Sequence, residues 1–138
     1  MPDPRRPRGL IDTSVLINLE HLDPTDLPTE LAISAVTLAE LAAGPHATAD
    51  SAERARRQDR LQRAEEAFEP LPVDADVARA YGRVYAAVVA GGTKARGRRA
   101  LDHLLIAATG LANDLPVYTC NPDDFEDLAS LIDVVSIP

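Results

Sequence analysis

Apolar positions along the chain fall into short blocks with two different spacings. Residues 10–17 are apolar except for Asp12, Thr13 and Ser14; the block follows Gly9 and is too short for a typical helix. This predicts a buried strand whose polar end carries Asp12. Leu31, Ala32 and Ile33 form a second apolar start, and Ser34 after them suits a helix N-cap. The helix predicted over residues 35–43 is stopped by Gly44 and Pro45. Residues 49–68 are charged but keep Ala52, Ala55, Leu61, Ala64 and Phe68 at roughly helical spacing, as in an amphipathic surface helix. Pro70 and Pro72 interrupt the chain. Asp74 then caps a helix with Val77, Ala80, Tyr81, Val84, Tyr85 and Val88 on one stripe, ended by Gly91 and Gly92. After a basic loop at residues 93–99, residues 100–113 are apolar nearly all round, which predicts a buried helix. Two short strands follow, at 116–120 and 133–137, with Asn121, Pro122, Asp123 and Asp124 opening a short helix between them.

Strands alternating with helices imply an α/β fold with a parallel sheet covered by helices. In such folds ligands bind outside the carboxyl ends of the strands. Asp12 and the segment 119–124 are both expected there, so the pattern predicts that they converge. One domain is expected over residues 10–138, preceded by a short disordered arm at 1–9. Only five aromatic residues are present among 138, so the core must be largely aliphatic. The single cysteine, Cys120, leaves no partner for an internal disulfide and no cysteine-built zinc site. Lone cysteine usage fits a cytoplasmic protein. No apolar run approaches the ~20 residues needed to span a membrane, and residues 1–9 lead into no signal-peptide hydrophobic region. A soluble protein is expected.

The formal net charge is −8, which argues against a protein that coats nucleic acid by bulk electrostatics. It is compatible with an enzyme that gathers acids at one site and keeps arginines around it. Thirteen of the 14 basic residues are Arg, whose planar fork suits phosphate, and they cluster at 54–63 and 94–99. The first cluster fits a solvated helix face. The second is either a solvated loop or a set of phosphate contacts, with Arg96, Arg98 and Arg99 as the candidates.

Several acids occupy unusual surroundings. Glu40 shares its helix face with Val36, Thr37, Ala43 and Gly44, which is not an ordinary solvated stripe. Asp102 is followed at helical spacing by Leu105 and Ile106, in a helix with little polar surface. A buried carboxylate must be neutralised by a proton, an Arg or a metal. The plainer alternative is a first-turn acid complementing the helix dipole, with Arg98 or Arg99 as partner. The segment 121–124 can be just a helix start, with Asn121 as cap and two acids at the positive end. Asp12 alone could form a turn. Together these residues supply several oxygen ligands at one edge of a sheet, a set suited to Mg²⁺ or Mn²⁺. His21, His46 and His103 are too scattered for a zinc site, and His103 is expected on a different helix face from Asp102.

Four segments, 10–17, 34–41, 102–109 and 119–125, resemble in order and spacing those of the PIN-domain family, and within it the VapC toxins of bacterial toxin–antitoxin pairs. The resemblance implies a three-layer α/β/α fold with a central parallel sheet. It implies Asp12, Glu40 and Asp102 as catalytic metal-site acids, with Asp124 or Asn121 as a further ligand. Thr13, Ser14 and Thr119 would orient water or hydrogen-bond the carboxylates. It further implies a Mg²⁺- or Mn²⁺-dependent endoribonuclease acting on RNA of the tRNA or rRNA class. Arg96, Arg98 and Arg99 become candidate RNA contacts. A homodimer, a small VapB-type antitoxin and operator DNA reached only through that antitoxin are the implied partners. Two competing readings are a phosphate-handling phosphatase or receiver-like domain, and a non-catalytic RNA- or partner-binding module. The first lacks a lysine near the last strands and an Asp-x-Asp after the first strand.

Overall fold

A computed structural model describes residues 7–92 and 97–138, without the side chains of 97–99. The chain forms, in order, β1 (Arg8–Ile11), α1 (Thr13–Ile17), β2 (Glu30–Ala32), α2 (Ala35–Ala43), α3 (Ser51–Ala67), α4 (Ala75–Ala90), α5 (Gly97–Ala112), β3 (Val117–Thr119) and β4 (Val134–Ser136). Short 3₁₀ turns fill several connections, among them Pro122–Leu128 between the last two strands. All strand pairings are parallel, in the order β2-β1-β3-β4. Leu10 pairs with Val117 and Ile11 with Tyr118, so the ends of β1 and β3 lie level.

Successive strand residues face opposite sides of a sheet, and the core divides accordingly. Leu10 and Val117 pack with Val84, Ile106 and Phe125 on the side of α4 and α5. Ile11 and Tyr118 pack with Val15, Leu41 and Ala64 on the side of α1, α2 and α3. The result is a three-layer α/β/α domain.

Several expected boundaries move. The strand expected at 10–17 stops at Ile11, and Val15, Leu16 and Ile17 belong to α1. Asp12 explains the break: its backbone is extended and its carboxylate accepts the Val15 N–H, capping a new helix. β1 begins at Arg8, inside the segment expected to be an arm, while residues 1–6 lie outside the described residues. α5 starts at Gly97, three residues before the expected start, and Leu101 is exposed. On α4, Val77, Ala80, Val84 and Val88 are buried, but Tyr85 is 46% exposed and not part of the core.

Close approach of α5 to the sheet depends on Gly110. A Cβ there would sit 2.8 Å from Val117 Cγ2 and 3.1 Å from the Leu115 carbonyl oxygen. Alanine would gain roughly 1 kcal/mol of helix propensity, but overpacking a filled core costs about 1–3 kcal/mol. Gly110→Ala is therefore expected to lower stability in urea melts; an unchanged or higher midpoint would show that β3 yields readily.

Candidate active site

The sheet order places a topological switch between β1 and β3, because the chain leaves β1 toward β2 on one side and returns to β3 on the other. Crevices at such points bind ligands in open α/β sheets. Here the crevice is a cleft of about 410 Å³ into which Asp12, Glu40, Asn121 and Asp124 all open. The convergence expected from the strand pattern is present.

Asp12 sits at the floor, 3% exposed, with its N–H donated to the Tyr118 carbonyl 3.0 Å away. Its Oδ1 accepts from the Val15 N–H at 3.0 Å and from the Ser14 hydroxyl at 2.6 Å. Ser14 in turn accepts the Cys120 N–H at 3.1 Å, which ties α1 to the end of β3. Thr13 donates to Glu40 Oε1 at 2.7 Å, and its hydroxyl lies 3.1 Å from that of buried Thr37. Thr13 and Ser14 thus each hydrogen-bond a carboxylate. Thr119 does not: its hydroxyl accepts the Asn121 N–H at 2.9 Å, so it shapes the chain after β3. Asn121 forms no side-chain cap on the 3₁₀ turn that follows it, contrary to the simplest reading of its position.

Asp102 is half-buried on α5, and its charge is felt by Glu40. Burial pushes the Glu40 carboxyl above its ordinary pKa, opposed by the Thr13 hydrogen bond and the His103 ring; the negative charges of Asp102 and Asp12 push it further up. Arg96 and the side chains of Arg98 and Arg99 lie outside the described residues.

Asp102 is not among the described residues lining the cleft, but its neighbour on α5, His103, is, in keeping with the different helix faces expected for the two. The His103 Nε2 is 3.4 Å from Asp124 Oδ2, and its ring centroid is 5.7 Å from that of Phe125. The partner comes from a segment about twenty residues on, so helical spacing within α5 gave no sign of it. Thr37 and Asn18 were also missed; a hydroxyl three residues before Glu40 was the available hint for Thr37.

The donor set bears on whether a cation fits. Carboxylate, amide and hydroxyl oxygens dominate, and no Lys or Arg is among the described residues lining the cleft. Buried and clustered negative charge is left for a cation to offset, which is the surrounding that raises Glu40. Among the described residues no three His, Cys, Asp or Glu side chains form a ready-made cage. A hard cation that keeps several waters and takes only one or two carboxylates fits such an open set.

Residues 9–131 match the family model described as PIN domain. The chain belongs to the PIN-domain family. Over 134 residues it is 36% identical to Ribonuclease VapC5 of Mycobacterium tuberculosis, covering 94% of this chain and 95% of that protein. It is 39% identical over 102 residues to Ribonuclease VapC8 of the same species, covering 73% and 88%. Its fold is similar to that of a member of the VapBC family of toxin–antitoxin systems, VapBC-5 of M. tuberculosis, with TM-score 0.81, 35% identity and 95% and 99% coverage. The protein is thus a PIN-domain ribonuclease homologue of the VapC type, and metal dependence is general to that family. Membership also sets aside the phosphatase and receiver readings.

The sign of the Glu40 shift has a consequence for stability. A carboxyl whose pKa is raised by folding favours the folded state while protonated, and that advantage is lost as pH rises from the unfolded value through the folded one. In metal-free protein, Glu40→Gln is expected to raise the melting temperature at pH 7–8, with the difference vanishing below about pH 4. Melts of both proteins across pH check this; a variant less stable at pH 8 would contradict it.

Proposed function

We propose that the protein is a Mg²⁺- or Mn²⁺-dependent endoribonuclease toxin in which Asp12, Glu40 and Asp102 form the catalytic metal site, joined by Asp124 or Asn121. The observation that carries this reading is the convergence of Asp12, Glu40, Asn121 and Asp124 on a switch-point cleft lined by no described Lys or Arg. A bound ion of this kind supplies the charge that lowers the pKa of a water and steadies a phosphodiester's developing negative charge. The chain's own residues hold that site in place. Ser14 and the α1 backbone fix the Asp12 carboxylate, and Thr13 fixes Glu40. In-line attack of water on the RNA phosphodiester leaves a 5′-phosphate and a 3′-hydroxyl.

The substrate in this reading is RNA of the tRNA or rRNA class, with Arg96, Arg98 and Arg99 contacting its backbone. A small VapB-type antitoxin covers the acidic cleft, and operator DNA is reached only through it. The net charge of −8 supports that indirect route, since a chain this acidic is not suited to coat duplex DNA by bulk electrostatics. A homodimer is supported by Tyr85 and Val89 on α4 and Leu101 on α5, large apolar side chains left exposed. The compartment is the cytoplasm; among the described residues no helix is long and apolar enough to cross a membrane.

The test is RNA cleavage by the purified, antitoxin-free protein with Mg²⁺ or Mn²⁺, beside Asp12→Asn and Asp102→Asn. Both variants should lose cleavage. Undiminished cleavage by both would refute the assignment, and a wild-type protein that binds RNA but never cuts it would point to a binding module.

A further inference from the structure

We propose that His103 is a positioning residue for Asp124, engaging one of its carboxylate oxygens so that Asp124, and not Asn121, completes the oxygen donor set of the cleft. This rests on the metal-site reading above. Two candidates compete for the fourth place. Asn121 is exposed, and its side chain caps nothing. Asp124 is only 25% exposed in its side chain, and its Oδ2 lies 3.4 Å from His103 Nε2.

The imidazole is itself held. It is 19% exposed and tilts against Phe125, which is 1% exposed and belongs to the core. A buried core ring therefore backs the imidazole, and the imidazole limits where the carboxylate can swing. Phe125 also follows Asp124 directly in the chain, so the backbone bearing the carboxylate is anchored by the same ring. The 3.4 Å separation is longer than a tight hydrogen bond, and polar contacts of this kind shorten when a site is loaded. A neutral ring suffices in its Nε2–H tautomer, in which Nε2 is the donor. One carboxylate oxygen is engaged and the other remains available to an ion or its water. A hard cation also gains more from an anionic oxygen than from an amide carbonyl.

The experiment is Mn²⁺ binding by calorimetry on the full chain. It compares wild type with Asp12→Asn, Asp124→Ala, His103→Leu, His103→Gln and the double variant His103→Leu/Asp124→Ala, with a thermal melt of each. Leucine keeps the packing on Phe125 without a donor; glutamine places an N–H near the position of Nε2. His103→Leu is expected to weaken Mn²⁺ binding about tenfold, the usual effect of removing an outer partner of a ligand. His103→Gln should recover most of that loss, and the double variant should bind no more weakly than Asp124→Ala alone. Wild-type affinity in His103→Leu, or losses that multiply in the double variant, would overturn the proposal while leaving the metal site intact. Mn²⁺ binding that Asp12→Asn leaves unchanged would overturn the metal-site reading, and this proposal with it.

Discussion

Asp12→Asn is expected to reduce RNA cleavage by roughly a thousandfold or more while leaving the fold intact. The magnitude follows from the several kcal/mol that a correctly held ion contributes to charge stabilisation, at about 1.4 kcal/mol for each factor of ten. The fold survives because the amide oxygen of asparagine can still accept from the Val15 N–H, which caps α1, and from the Ser14 hydroxyl. What is lost is the negative charge at the cleft floor. Circular dichroism and a thermal melt should match wild type while single-turnover cleavage collapses. A variant that cuts RNA within tenfold of wild type would remove Asp12 from the chemistry.

The second large effect concerns stability. Phe125 is 1% exposed and lies in the same core cluster as Leu10, Val84, Ile106 and Val117. Truncating a buried Phe to Ala costs about 3–5 kcal/mol, a large share of the roughly 5–15 kcal/mol that holds a typical domain. Phe125→Ala should therefore melt at least about 10 °C lower than wild type. Because the ring also backs His103, cleavage measured well below the melting point should fall as well. A variant that melts within about 3 °C of wild type would mean that the cavity collapses or that the ring contributes little to the core.

How much of this was legible in the sequence differs from residue to residue. The alternation of strands and helices gave a parallel sheet covered by helices, and the three-layer form came from the resemblance to the PIN-domain family. Ser34 and Asp74 were read correctly as helix caps, since a cap is a local matter of one side chain and the next three backbone N–H groups. Asp12 was placed at a strand end but not as a cap. The apolar Val15, Leu16 and Ile17 fit a strand and a buried helix equally well, and periodicity cannot separate the two in so short a run.

The candidate acids stand out in the sequence by their strand-end or apolar surroundings, and the side chains that contact them do not. Thr13 and Ser14 entered as carboxylate partners through the family resemblance; adjacency to Asp12 alone does not announce that Thr13 bonds Glu40 while Ser14 bonds Asp12. The Thr119 hydroxyl accepts a backbone N–H two residues on, a local bond that its place in the sequence does not announce. His103 was set aside because spacing along one helix says nothing about a segment that arrives from the far side of β3. Pairings across such distances in sequence are fixed by topology, and the topology emerges only once β1 and β3 are set side by side.

In the proposed reaction water, with a divalent ion held by the acids of the cleft, cuts the RNA backbone. The most direct measurement is to incubate purified, antitoxin-free protein with RNA, with Mn²⁺ or with excess chelator, and to determine the chemistry of the new ends. The expected result is cleavage with the ion, none with the chelator, and ends bearing 5′-phosphate and 3′-hydroxyl. Cleavage that persists in chelator, or fragments ending in 2′,3′-cyclic phosphate, would contradict it.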